Sequence, residues 1–318
     1  MREQGARVAF ACGGDGVLCR SMAESQGFDM IAEVRPSANV SPVIAALANG
    51  PGFDLVLVDH YDLDAEWERV IAAAGPKIAV IDDLARVHDC AILLDQNLYS
   101  GAEQRYDGKV PVGCALLIGP SNALLRPEFM AARDSVAVRG GEIRSLLVSY
   151  GGSDPSNETA KAITSLLDVT GIERIDVVIG PAMPHAEEFR RLAADDPRFT
   201  FHIAPDDMAR LMADADLALG AGGSTSWERC VLGLPALVTT VAPNQVESTQ
   251  ALAAHGAVLY LGSSECVSAD DIKTAIRDLS EDPERVREMG SRSRELMEDA
   301  CGPSTVAEAM LEVAHARS

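Results

Sequence analysis

Short apolar runs recur along this chain, each closed by polar residues or glycines and each followed by a helical pattern. Asp54-Leu55-Val56-Leu57-Val58-Asp59-His60-Tyr61 is one; Lys77 to Ile81, Ile143 to Tyr150, Ile175 to Ile179, Phe199 to Ile203 and Ala236 to Val241 are others. Runs of Val, Ile and Leu without a polar alternate suit parallel strands buried on both faces. Helical patterns fall between them, at Val17 to Gln26, around Val40 to Ala48, at Asp64 to Ala74, Asn157 to Leu167 and Pro184 to Ala194. Strands alternating with helices make an open α/β sheet.

With 318 residues, 47% hydrophobic and 24% charged, the chain can bury two cores of roughly 150 residues each. The segment Ser135 to Glu142 changes character and ends the first alternation, which divides the chain into domains 1–136 and 143–318. The tail from Ser268 to His315 reads as helices broken at Gly302-Pro303, with its Arg and Glu residues on a solvated face. Net charge is −21, from 27 Lys and Arg against 48 Asp and Glu. That balance argues against nucleic acid or an anionic membrane as partner, so any anionic ligand needs local backbone donors. Seven cysteines without C-x-x-C spacing argue against a disulfide framework and a zinc site, and point to the cytoplasm. No apolar run approaches the ~18 residues of a membrane span, and the first residues lack a signal peptide's apolar core.

Gly220-Ala221-Gly222-Gly223-Ser224-Thr225-Ser226-Trp227-Glu228 reads as the end of a strand, a glycine turn and the start of a helix, an arrangement that presents N–H groups to a phosphate. Thr225 and Glu228 match a capping box, and a cap alone would account for Glu228 equally well. A second glycine turn, Gly151-Gly152-Ser153-Asp154-Pro155, follows the strand that ends at Tyr150, with Asp154 suited to an N-cap and Pro155 to the first helical position. In open α/β sheets ligands sit beyond the carboxyl ends of strands, where Asp59-His60-Tyr61, Asp82-Asp83 and Asp95-Gln96-Asn97 fall. His60 also reads there as a hydrogen-bonded strand-end residue, and the Asp82-Asp83 pair as caps or solvated acids. No further spacing supports a metal. Asn244 and Gln245, after the strand ending at Val241, carry amides that can fix sugar hydroxyls or cap a helix.

Several of these stretches together resemble a known family, the UDP-sugar hydrolases of the pseudaminic acid pathway, relatives of the glycosyltransferases with the two-domain B-type fold. The resemblance runs from about residue 5 to about residue 262. It is carried by Asp59-His60-Tyr61, Ile81-Asp82-Asp83-Leu84-Ala85-Arg86 with His88-Asp89-Cys90, Leu94-Asp95-Gln96-Asn97, Leu124-Leu125-Arg126-Pro127-Glu128-Phe129, Tyr150-Gly151-Gly152-Ser153-Asp154-Pro155 and Asn244-Gln245. The fold it implies is α/β, with two Rossmann-like domains facing a cleft, the first domain lacking its first strand and helix. The activity it implies is hydrolysis of a UDP-linked diacetamido trideoxy-hexose to free sugar and UDP, in a route to surface or flagellin glycosylation. Water attacks the anomeric carbon with inversion, and no metal or other cofactor takes part.

On the resemblance, UDP lies on Gly151, Gly152, Ser153, Gly222, Gly223, Ser224 and Thr225 with Glu228 on the ribose, while Asn244, Gln245, Tyr61 and Asp83 take the sugar. The family's general base is a histidine in a G-x-G-H loop, and no G-x-G-H occurs in these 318 residues. Cys12-Gly13-Gly14-Asp15-Gly16 is a glycine turn without a histidine. The resemblance therefore implies either that the first strand, loop and helix lie upstream of Met1 or that the base is lost, with His60 as the substitute. A transferase of the same fold and a nucleotide-sugar binding protein without turnover are the competing expectations.

Overall fold

The computed structural model describes residues 1–13, 17–34, 41–49, 52–181 and 183–316. Gly14, Asp15 and Gly16 of the first glycine turn, and Val40 at the expected start of the second helix, lie outside them. The chain divides into two units, the first comprising Met1–Gln96, Gly101–Asn122 and Pro303–Ser318, the second Asn97–Ser100 and Ala123–Gly302.

In chain order the first unit contains β1 (Ala9–Gly13), α1 (Val17–Ser25), β2 (Asp29–Val34), α2 (Ser41–Asn49), β3 (Leu55–Val58), α3 (Ala65–Ala72), β4 (Lys77–Ile81), β5 (Ile92–Asp95) and β6 (Ala115–Ile118). The second contains α4 (Pro127–Arg133), β7 (Ser145–Ser149), α5 (Glu158–Leu166), β8 (Arg174–Ile179), α6 (Ala186–Leu192), β9 (Phe199–Ile203), α7 (Met208–Ala213), β10 (Leu217–Ala221), α8 (Thr225–Val231), β11 (Ala236–Thr240), α9 (Asn244–Ala254), β12 (Leu259–Ser263), α10 (Ala269–Ser280) and α11 (Pro283–Leu296). The last helix, α12 (Pro303–His315), returns to the first unit. None of the described helices is long and apolar enough to cross a membrane.

All strand pairs are parallel. Unit 2 has one six-stranded sheet in the order β12-β11-β10-β7-β8-β9. Its β7 shows why an unbroken apolar run is required: Leu146 and Val148 enter one buried cluster with α5 and α10, while Leu147 enters the other with Trp227 of α8. Successive side chains point to opposite faces, and here both faces are core. Unit 1 holds its strands in two sheets, β1-β2 and β3-β4-β5-β6. Among the described residues β1 and β3 each pair along one edge only.

The expected division into 1–136 and 143–318 differs from this partition at three places, one of them the short segment Asn97–Ser100, which belongs to the second unit. Phe129 of α4 is fully buried in the unit 2 cluster that includes Leu125, Leu211 and Trp227. At the other end of the chain, Val306 and Met310 of α12 bury against Ala79, Ile92 and Leu94 of unit 1. Lys77 reinforces that return by donating from Nζ to the carbonyls of Val313 (2.8 Å) and Ala316 (2.6 Å), near the negative end of the helix. The tail read as solvated helices thus carries an apolar stripe that covers one face of β4 and β5.

Met310→Ala should therefore destabilise unit 1 by ~2–4 kcal/mol through the cavity it leaves. Hydrogen exchange checks this: amides of β4 and β5 should exchange faster while those of β7 and β8 keep their protection. Faster exchange confined to unit 2 would contradict the assignment of α12.

Candidate functional site

In unit 2 the ladder pairs Gly220 of β10 with Ser149 of β7, so the two strands run out side by side. Chain order reverses between them, with β8 beyond β7 and β11 beyond β10. Such a reversal is the usual ligand position of an open α/β sheet. Each strand leads into one of the two glycine turns. No backbone acceptor among the described residues takes the N–H groups of Gly151, Gly152 and Ser153, or those of Gly222, Gly223, Ser224 and Thr225. Two adjacent turns with free N–H groups form a concentration of positive partial charge suited to an anion.

The two turns are built differently from the sequence expectation. Asp154 is not the N-cap of α5; the helix begins after Asn157, which has φ +58°. Asp154 instead reaches forward, accepting from the N–H groups of Glu158 (2.9 Å) and Thr159 (2.8 Å). A carboxylate already fills the first turn of α5, so the capacity of this turn to take an anion lies in Gly151 to Ser153. The T-x-x-E capping box is not formed either. Ser224 precedes α8 in a helical conformation, φ −57° and ψ −33°, without a side-chain cap. A capping box needs an extended N-cap, and the turn does not provide one.

Glu228 has a different partner. Its Oε1 accepts from Arg126 Nε at 2.9 Å, and Arg126 stacks its guanidinium 4.8 Å from the Phe129 ring centre. The Glu228 side chain is only 14% exposed, and Oε2 takes no hydrogen bond among the described residues. One oxygen is thus fixed by a distant arginine and the other is available. Sequence reasoning missed Arg126 as the group that orients Glu228, because nothing local connects residues 102 positions apart.

Asn244 and Gln245 open α9. Gln245 Oε1 accepts from Val241 N at 3.0 Å. Gln245 also packs beneath the turn at Gly222 and Gly223: a Cβ on Gly222 would lie 3.0 Å from Gln245 Cβ and 2.7 Å from Thr249 Oγ1. Its side chain therefore braces the turn.

Unit 1 has its own polar cluster at the ends of β3, β4 and β5. Asp82 and Asp95 are buried. The Tyr106 hydroxyl lies 3.0 Å from a carboxylate oxygen of each. Asp82 also accepts from Arg86 Nε (2.7 Å) and N (3.1 Å), and Asp95 from Arg105 Nε (3.2 Å). His88 lies between two acids, with Nδ1 2.7 Å from Glu68 Oε1 and Nε2 3.5 Å from Asp82 Oδ1. Burial alone would depress His88, but the carboxylates of Asp82 and Glu68 on either side of the ring outweigh it and push its pKa up to about 9. Burial would likewise raise Asp82, yet the nearby His88 and hydrogen bonds from Arg86 hold its carboxyl well below the usual range.

The Asp82-Asp83 pair therefore divides. Asp82 is neither a cap nor a solvated acid but the centre of a buried ion network, while Asp83 sits at the rim and accepts from Tyr61 OH at 3.0 Å. Arg86 fixes the same rim by donating to Tyr61 O at 2.7 Å. His60 Nδ1 accepts from Asp62 N at 3.0 Å, which places the proton of a neutral ring on Nε2 and makes that atom a donor. Asp59 stands out among the acids: desolvation, and next the charge of Asp83, raise its pKa while the residue stays exposed. Sequence spacing brought Asp59, His60, Tyr61 and Asp83 to one rim but did not distinguish among them.

The charged His88 links stability to pH. Its folded pKa, about 9, exceeds the ordinary histidine value of 6.5, so its contribution is complete below pH 6.5 and is lost as pH rises through 9. Urea denaturation should show stability falling across that window by roughly 2–3 kcal/mol, and His88→Gln should flatten the dependence. An unchanged slope in the variant would contradict it.

The model of the glycosyltransferase family 28 C-terminal domain matches residues 147–309. The chain is 35% identical over 151 residues to the spore coat polysaccharide biosynthesis protein SpsG of Bacillus subtilis, a match covering 47% of this chain and 44% of that protein. It is also related to the UDP-2,4-diacetamido-2,4,6-trideoxy-beta-L-altropyranose hydrolase of Campylobacter jejuni, at 29% identity over 182 residues, 57% of this chain and 64% of that one. The matches thus span 44% and 64% of the length of these two curated relatives. The crystal structure of Acinetobacter baumannii MurG superposes with a TM-score of 0.65 at 14% identity, over 98% of this chain and 92% of that one. This likeness establishes the shared fold, as expected of Rossmann-like domains.

Proposed function

We propose that this chain, which belongs to the glycosyltransferase family 28 C-terminal domain family, hydrolyses a UDP-linked sugar to the free sugar and UDP. The observation that carries the reading is the pair of adjacent turns in unit 2 whose seven N–H groups have no backbone acceptor among the described residues. They supply donors for a diphosphate in a protein whose net charge of −21 offers no general attraction to an anion. Kinship with a hydrolase named for a UDP-diacetamido sugar supports that substrate class.

The leaving group defines what unit 2 must do. When water attacks the anomeric carbon and the bond to the phosphate oxygen breaks, negative charge develops on UDP. N–H groups held on two strand ends stabilise it without rearranging. The free Oε2 of Glu228 accepts from a ribose hydroxyl, and Asn244 takes the sugar.

Hydrolysis also needs a general base, and at the rim of unit 1 Asp59, whose pKa is raised while it remains exposed, suits that role better than His60, whose Nε2 carries hydrogen in the observed hydrogen-bond arrangement. Tyr61 and Asp83, joined by a hydrogen bond, position the sugar. A second reading, transfer of the sugar to an acceptor hydroxyl, is supported by the family to which the chain belongs. It requires the same UDP site.

Incubation with a UDP-diacetamido trideoxy-hexose, with water as the only acceptor, should yield UDP and free sugar in equal amounts. Release that appears only when an acceptor is added would select the transferase reading. Asp59→Asn should lower kcat by at least ~100-fold, the scale of general base catalysis, and His60→Gln should have the smaller effect. The reverse order would restore His60 as the base. Glu228→Gln should weaken UDP roughly tenfold, the scale of a charge-assisted hydrogen bond, and abolish any preference for UDP over its ribose-modified deoxy analogues. Undiminished discrimination would leave Glu228 as only an ion-pair partner of Arg126.

A further inference from the structure

Arg229 lies in α8, directly behind the turn from Gly220 to Thr225, and is 2% exposed. Its Nη2 donates to Ala221 O at 2.8 Å and to Ser226 Oγ at 3.0 Å, linking the last residue of β10 to the first turn of α8. The buried Nε has no acceptor. The adjacent carboxylate, Glu228, is paired with Arg126, and among the described residues Arg229 itself forms no ion pair. An arginine stays charged under these conditions. A buried charge without an opposite charge is costly, and folds retain one mainly where a ligand or a partner completes it.

The position of the guanidinium says which ligand. A Cβ on Gly220 would lie 2.5 Å from Arg229 Nη1 and 2.6 Å from Ser149 O. The cation therefore occupies the point where β7 and β10 end together, behind both turns, and a side chain at residue 220 would expel it. The free N–H groups of both turns and the unpaired cation thus converge on one place.

We propose that Arg229 is the fixed countercharge of a diphosphate site formed by the two glycine turns. It acts as a positioning residue: its charge is felt through the turn, and its hydrogen bonds hold Ala221 and Ser226 so that the intervening N–H groups remain available. This rests on the reading that the turns take a nucleoside diphosphate. Neither hydrolysis nor transfer is needed for it, because it concerns the charge of the ligand alone.

The test compares ligands that differ in charge. Inorganic pyrophosphate, UDP and uridine are titrated by calorimetry into the wild-type protein and into Arg229→Met and Arg229→Lys. Arg229→Met is expected to weaken pyrophosphate and UDP at least about tenfold, the scale of one charge-assisted contact, and to leave uridine within about twofold. Arg229→Lys keeps the charge without the paired geometry and should retain most pyrophosphate affinity even if the Met variant fails to fold. Equal losses for UDP and uridine, unchanged pyrophosphate affinity in Arg229→Met, or a Lys variant that is folded yet blind to pyrophosphate would each overturn the proposal. So would a wild-type protein that binds no pyrophosphate. Binding of pyrophosphate without any preference for UDP would instead refute the uridine nucleotide reading and leave Arg229 as the countercharge.

Discussion

The parallel pairing of β7 with β10 is the constraint on which the candidate site depends. Leu217 pairs with Leu146, Ala218 with Leu147, Leu219 with Val148 and Gly220 with Ser149. All the apolar members are fully buried or nearly so, on both faces of the sheet. A slip of one residue would exchange every side chain between two differently shaped cores, so the register is strongly held. Because it is held, the two strands end level, and the turns that follow stand next to each other. Neither turn alone has more than four free N–H groups; the ladder makes them one surface.

The two units use charge in opposite ways. In unit 1 acids are abundant, and the buried ones, Asp82, Asp95 and Glu68, are each matched by Arg86, Arg105, Tyr106 or His88. That network fixes the loops carrying Tyr61 and Asp83, and it separates acids that hold structure from those left at the rim. In unit 2 the site relies on backbone donors, with a carboxylate turned outward by Arg126 and a buried arginine behind them. A chain with a net charge of −21 can attract an anion only through such local arrangements, since its long-range field opposes the approach.

Much of this was legible in the sequence. The apolar runs that became β3, β4, β7, β8, β10 and β11 were long enough and pure enough to mark parallel strands, and the glycines after Tyr150 and Gly220 marked the turns. β6 (Ala115–Ile118) was not read from the sequence. The return of α12 to unit 1 was hidden because a helix pattern does not say which core its stripe will meet. Local chemistry also misled: Asp154 is not the N-cap of α5 but accepts from Glu158 N across a bend in which Asp154 and Asn157 both have positive φ. Glu228 found a long-range arginine where a local cap was expected. Arg229 carried no signal at all, since an arginine in a helix reads as solvent-facing until packing shows otherwise.

What joins these observations is the claim that a nucleoside diphosphate rests on the N–H groups of the two turns. Transverse-relaxation-optimised NMR of the nitrogen-labelled protein, titrated with UDP, tests it most directly. The account requires the amide resonances of Gly151, Gly152, Gly222 and Gly223 to shift together with a single binding isotherm. Shifts confined to unit 1, or to one turn without the other, would contradict it.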